Sequence, residues 1–175
     1  PARFQLVAAM NPCPCGHLGD PAATCRCAPE RIDGYRSRIS GPLLDRIDLH
    51  VDVPRVPPEV IAGTERAEPS LSVARRVAEA RSRQLQRQGR SNARIEGVDV
   101  IALVRADAAA LALLDRAMRC LSLSARAFHR VLRVARTIAD LADSDAVCVA
   151  HVAEAVALRQ LDRRTSGPAL DFISA

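Results

Sequence analysis

Four cysteines crowd into a short stretch as Cys13-x-Cys15 and Cys25-x-Cys27, with nine residues between the pairs. Four thiolates can close a tetrahedral zinc site with bonds of about 2.3 Å, and a loop of this length can bring the pairs together. In a chain without secretory features a tight cysteine cluster points to metal before disulfides. The spacing is tighter than zinc sites generally use, and His17 offers an alternative ligand. Structural zinc on Cys13, Cys15, Cys25 and Cys27 is the expectation, with free thiols as the alternative. Such a site would rigidify the loop that follows Asn11. A second group able to do chemistry is Arg46, in Ser40-Gly-Pro-Leu-Leu-Asp-Arg-Ile-Asp-Leu-His-Val51. Gly41 and Pro42 stop what precedes, Leu43 and Leu44 anchor, and Arg46 is presented just before an alternating apolar run. A guanidinium with a fixed direction suits phosphate recognition through its planar fork; a surface salt bridge at a strand entry is the plainer alternative. Asn11 is a third. It closes an apolar run, where open α/β sheets place ligand-contacting groups, and an amide there can hold a water in line with a terminal phosphate. A turn asparagine before proline is its plainer reading.

The elements that must carry these groups can be read from periodicity. Phe4 to Met10 reads as a buried parallel-sheet strand. A domain opening on a central strand is expected to continue a longer chain, of which this would be the C-terminal portion. Pro12 ends the run. Ala28-Pro29-Glu30 reads as a helix start, with a helix through Tyr35 towards Ser40. Ile47, Leu49, Val51 and Val53 alternate as a strand buried on one face. The proline-rich stretch 55–70 reads as a linker between a core portion, 1–54, and a helical unit, 71–164. In that unit Ser72 would cap a helix ended by Gly89; a short helix follows at 98–105 and another from Asp107 to Leu121. The best-defined helix runs from Ser124 to Ala142. Ala125, Phe128, Val131, Leu132, Ala135, Ile138 and Ala139 share one face, and Arg126, Arg130, Arg133, Thr137 and Asp140 share the other. A last helix spans 149–163, before a frayed tail, 165–175.

Composition narrows the chemistry further. The chain has 175 residues, 49% hydrophobic but only 2% aromatic, so its core must be built from Ala, Leu, Val and Ile. All 25 basic residues are arginine. A phosphate-binding P-loop needs its lysine, so this polypeptide by itself is not expected to hydrolyse ATP. The net charge of +5 is compatible with phosphate neutralisation on a nucleic acid and equally with a merely basic surface. No apolar run reaches the length of a membrane span, and no signal peptide opens the chain; the expectation is a soluble cytoplasmic protein. Cys120 and Cys148 read as small core residues, and His50, His129 and His151 as structural.

The segments Asn11-Pro-Cys-Pro-Cys-Gly16, Tyr35-Arg-Ser-Arg-Ile-Ser-Gly-Pro-Leu-Leu-Asp-Arg-Ile-Asp-Leu-His50, Ser124-Ala-Arg126 and Val134-Ala-Arg-Thr-Ile-Ala-Asp-Leu141 together resemble the magnesium-chelatase-like AAA+ ATPases of the competence branch. The resemblance covers almost the whole chain. It implies an α/β remnant of a AAA+ core, with parallel-sheet strands and a zinc loop, followed by an all-α lid. It implies that Asn11 stands at the sensor 1 position and that Arg46 is an arginine finger acting in trans within a hexameric ring. Arg126, in Ser-x-Arg at a helix start, would be sensor 2, contacting the γ-phosphate. ATP with Mg2+ would be held mainly by a preceding portion carrying the Walker motifs. The partners implied are identical subunits and DNA, with no membrane, and the work is DNA remodelling, branch migration during recombination of incoming DNA.

Two rivals stand beside this. The same motor could drive metal insertion into a porphyrin, which DNA-stimulated ATP turnover would discriminate. A stand-alone zinc-stabilised nucleic-acid-binding module would rest on the charge and on the stripe of Arg126, Arg130 and Arg133. Against the module stands an apolar first strand that would expose an unpaired edge.

Overall fold

A computed structural model of the chain describes residues 4–63, 67–97, 99–121 and 123–159. Helix α1 (Pro29–Arg36) starts with proline in its first turn, where the missing N–H costs nothing. Helix α2 (Gly41–Leu44) is a single turn, and α3 (Pro58–Ala62) lies inside the proline-rich stretch. Helix α4 (Ser70–Gln88) begins two residues before Ser72, with Pro69 in the cap position, and Gly89 ends it in the left-handed conformation, φ +68°. That conformation costs most side chains steric strain and glycine none.

A 3-10 turn (Asn92–Arg94), α5 (Asp99–Val104) and α6 (Ala108–Cys120) follow. The Asp107 carboxylate caps α6 by accepting from the Ala110 N–H at 2.7 Å. Helix α7 (Ala125–Leu141) is capped in the same way by Ser124, whose hydroxyl accepts from the Ala127 N–H at 3.1 Å. Helix α8 (Val149–Ala157) starts after Cys148, whose main-chain N–H is accepted by His151 Nδ1 at 3.2 Å. Helix α8 ends at Ala157, short of the expected 163, because Leu158 caps it and Arg159 turns to bridge His50; the expected tail and residues 64–66 of the linker fall outside the described residues.

The core belongs to the second half. Ile95, Val100, Val104, Leu113, Leu114, Val131, Leu132, Val147, Val152 and Val156 form one buried cluster, closed by Ala110, Ala117, Ala135, Ala139 and Ala155. Alanines on the facing sides of α6, α7 and α8 let these helices approach closely, which replaces the missing aromatic bulk. Two single parallel bridges, Ala106 to Val147 and His50 to Arg159, are the β pairings among the described residues.

The expected sheet remnant is not seen. Residues 4–10 and 47–53 belong to no strand, and Phe4, Val7, Val51 and Val53 are exposed. A strand exists only through a neighbour's hydrogen bonds; among the described residues 4–10 has no β partner, and 47–53 has only the single bridge of His50 to Arg159, too little for a ladder. Three side-chain expectations also change. Asp140, placed by the helical wheel on the polar face, is 1% exposed. Cys120 is exposed and Cys148 only half-buried, so neither is a core residue.

Candidate functional site

The cysteine loop folds on its own turns. Gly16 adopts φ +82° in a turn closed by its N–H on the Cys13 carbonyl at 3.0 Å, and a β-carbon there would lie 3.9 Å from the Asn11 carboxamide carbon. Asp20 accepts from the Ala22 N–H at 2.8 Å and turns the chain back. The result gathers Cys13, Cys15, Cys25 and Cys27 with all four sulfurs within 4.8 Å of one another. Measured pairs are 3.3 Å (Cys13–Cys15), 3.7 Å (Cys13–Cys25) and 3.6 Å (Cys15–Cys25). A tetrahedron with bonds of about 2.3 Å has sulfur–sulfur edges of about 3.8 Å. The donor set therefore fits a single four-coordinate soft cation with no open position. His17 lies outside the group and pairs with Asp20 at 3.6 Å.

The thiols are electrostatically unequal. Cys15 is drawn down to about 6, first by the backbone of His17 and then by the Cys13 thiol. Cys13 is held below the ordinary thiol value against the opposing effect of burial, through the Leu18 backbone and Cys25. Cys25, although the backbone of Cys27 favours its thiolate, is pushed up to about 12 by burial and by the Cys15 and Cys13 thiols. Burial and Cys15 raise Cys27 as well. The loop is tied onward to α1, since Arg36 Nε donates to the Pro12 carbonyl at 3.2 Å.

Asn11 is exposed beside this loop, and among the described residues no hydrogen bond joins it to Arg46 or Arg126. Those two lie at a common junction. The exposed guanidinium of Arg46 donates back to the Pro42 carbonyl at 2.7 Å. Next to it, Asp45 accepts the Ser124 hydroxyl at 3.1 and 3.0 Å on its two carboxylate oxygens. Ser124 caps α7, and Arg126 is exposed in the first turn of that helix. Arg130, one turn further on, donates to the Arg46 carbonyl at 2.8 Å and to Asp48 at 2.5 Å. Beyond α8, Arg159 donates to the Ile47 carbonyl at 2.8 Å and lies 3.7 Å from Asp45, and the His50 N–H donates to the Leu158 carbonyl at 2.7 Å. Arg159 is 1% exposed. A charge-assisted bond shielded in this way contributes about 1.5–3 kcal/mol, against well under about 1 kcal/mol for an exposed pair, so Arg159 is the stronger anchor.

A buried polar network holds α7 in place behind this junction. Asp140 accepts two bonds from Arg87, at 2.6 and 2.9 Å, one from Asn92 at 2.8 Å and one from Arg136 Nε at 3.1 Å. Arg136 also donates to the carbonyls of Ser144 and Asp145, and Arg83 to that of Asp140. Burial acts to raise the Asp140 carboxyl, but the bonds from Arg87 and Asn92 prevail and hold it below the usual carboxylate range. Burial lowers the Arg136 guanidinium in turn. Sequence reasoning missed this network, although Arg136 and Asp140 stand four apart and so face the same way.

Comparison with known proteins agrees with this architecture. Residues 1–61 match the family described as magnesium chelatase, subunit ChlI, and residues 67–159 match the magnesium chelatase subunit ChlI C-terminal family. The chain belongs to the magnesium-chelatase ChlI family and is a ComM/YifB-like member of it within the AAA+ proteins. It is 43% identical to the uncharacterized protein YifB of Escherichia coli K12, over 93% of this chain and 32% of that protein. It is 40% identical to the competence protein ComM of Haemophilus influenzae, over 93% of this chain and 32% of that protein. The uncharacterized protein Rv2897c of Mycobacterium tuberculosis is 39% identical over 94% of this chain and 33% of its own length. The chain thus spans about a third of the length of the curated relatives it matches. No helix among the described residues is long and apolar enough to cross a membrane.

Proposed function

We propose that this chain is the nucleotide-sensing C-terminal part of a cytoplasmic AAA+ ATPase that couples ATP hydrolysis to DNA remodelling, with branch migration during recombination of incoming DNA as its work. Its core portion would end near residue 54 and its lid begin near residue 71, a division supported by two family matches that meet between 61 and 67. In a ring of identical subunits, a hexamer, Arg46 would reach the γ-phosphate bound by the neighbour and stabilise charge developing there. Asn11 would orient the attacking water, and Arg126 would report nucleotide state to the lid. ATP and Mg2+ would be bound mainly outside this chain, and they supply the phosphoryl group and its charge neutralisation. Zinc on Cys13, Cys15, Cys25 and Cys27 would be structural, since four sulfurs leave no position for a substrate.

The observation that carries this reading is the junction itself. Arg46 is held out on a turn whose flanking residues are bonded to the same helix start that bears Arg126. Trans-acting arginines contribute about 10³-fold or more to turnover in related sites. In the full-length protein, Arg46→Ala is therefore expected to abolish ATP turnover about 1,000-fold while ATP binding persists. Unchanged turnover would sink the assignment. The magnesium-chelatase name of the family keeps one second reading in view, a motor for metal insertion into a porphyrin. Turnover stimulated by branched DNA supports the first; turnover indifferent to DNA but raised by a porphyrin-binding partner supports the second.

A further inference from the structure

Asp45 and Asp48 flank Arg46, and neither points at solvent alone. We propose that Asp45 and Ser124 form a clamp that positions Arg46, so that the arginine serving the neighbouring nucleotide moves with the lid of its own subunit. This rests on the reading of Arg46 as a trans-acting finger and adds the residues that aim it.

The geometry is specific. A serine hydroxyl has one donor and two acceptor lone pairs, and Ser124 uses both capacities. It accepts from the Ala127 N–H at 3.1 Å, which starts α7, and donates to Asp45 at 3.0 Å. The residues it joins are 79 positions apart. The following backbone is gripped from both sides: the Arg46 carbonyl by Arg130, the Ile47 carbonyl by Arg159, and the His50 N–H by the Leu158 carbonyl. These partners come from the start of α7 and the end of α8, helices locked together by the lid core. The turn at 41–50 is thereby attached to the lid through space. The covalent route between them runs through the proline-rich stretch from Pro54 to Pro69. A rotation of the lid that follows nucleotide at Arg126 would carry Arg46 with it. One helix start would then link a subunit's own site to its neighbour's. Asp45, Ser124, Arg130 and Arg159 act through Arg46 and are positioning residues.

The test separates clamp from cap in the full-length protein. Ser124→Asp keeps an excellent N-cap acceptor but sets a carboxylate against Asp45; Ser124→Thr keeps the hydroxyl. The clamp predicts that Ser124→Asp lowers kcat by about 10- to 100-fold with KM changed less than about twofold, since misplacement costs the transition state. Its melting temperature should stay near that of the parent. Ser124→Thr should restore turnover to within about twofold. Amides 46 and 47 should exchange hydrogen about tenfold faster in Ser124→Asp, and likewise in Asp45→Ala, which leaves the α7 cap untouched. Ser124→Asp turning over like the parent, with amides 46 and 47 unchanged in both variants, overturns the clamp. If Arg46→Ala keeps full turnover, the finger reading fails and the clamp falls with it. Loss in Arg46→Ala beside normal rates in Ser124→Asp and Asp45→Ala removes the clamp alone.

Discussion

The two halves of this molecule are held by different forces. From residue 95 onward, fifteen apolar side chains form one buried cluster, and the buried charges Arg136 and Asp140 are paired inside it. Between residues 4 and 63, only Cys13 and His50 are buried among the described residues, while Phe4, Val7, Val51, Val53 and Ile61 are exposed. Order in the first half comes from turns, four converging thiols and bonds to the second half. Folding free energy is thus concentrated in the lid, and the half bearing Asn11 and Arg46 depends on what it is attached to.

The contrast can be attacked from its strongest side. Asp140→Asn should destabilise the lid by about 3 kcal/mol or more, because Arg87 and Arg136 lose the carboxylate that compensates them. Thermal unfolding of the 1–175 chain followed by far-UV circular dichroism measures it, and a change under about 1 kcal/mol would mean the network is looser than drawn. Leu132→Ala should cost about 2–4 kcal/mol through a cavity at the centre of the α6–α8 packing.

Acid titration sharpens the same point. The Asp140 carboxyl is held below its ordinary value, so it adds stability that is present above the unfolded titration near pH 4. That contribution is lost as pH falls through the lower folded value, where the proton returns. Denaturation midpoints should therefore drop below about pH 4 in the parent and drop less steeply in Asp140→Asn.

On the other half, metal should act locally. One zinc per chain is expected by elemental analysis, and its removal by a chelator should expose 13–27 to protease. The melting of the lid should shift by less than about 1 kcal/mol, because the core cluster includes none of these cysteines. A lid that unfolds on chelation would break the comparison. The smallest effect is predicted for Val53→Ser, within about 0.5 kcal/mol for a side chain 85% exposed.

Much of the helical unit was legible because its determinants are local. Ser124 and Asp107 announce helix starts through bonds three residues away, Gly89 ends a helix by its own backbone freedom, and the α7 periodicity reveals Val131, Leu132 and Ala135 as core. The cysteine group was legible for the same reason, since Cys13 and Cys25 lie only 12 positions apart. Asp140 was not, because a helical wheel scores a carboxylate as polar and cannot know that Arg87, 53 residues earlier, waits inside. Nor was the absence of strands at 4–10 and 47–53: an apolar run and an apolar alternation both suit a strand, but whether one forms depends on a pairing partner distant in the chain.

By itself, then, the sequence determined the starts of α6 and α7, the stop of α4 at Gly89, the apolar stripe of α7, the thiol cluster and the absence of a lysine for any P-loop in this chain. These rest on interactions within a few turns of backbone or on composition alone. Only the tertiary structure decided that Asp45 bonds to Ser124, that Arg159 holds the Ile47 carbonyl across 112 positions, and that Asp140 is a buried anion. Such contacts depend on which helix faces are brought together by burying the lid's aliphatic core, a global outcome that no local pattern encodes.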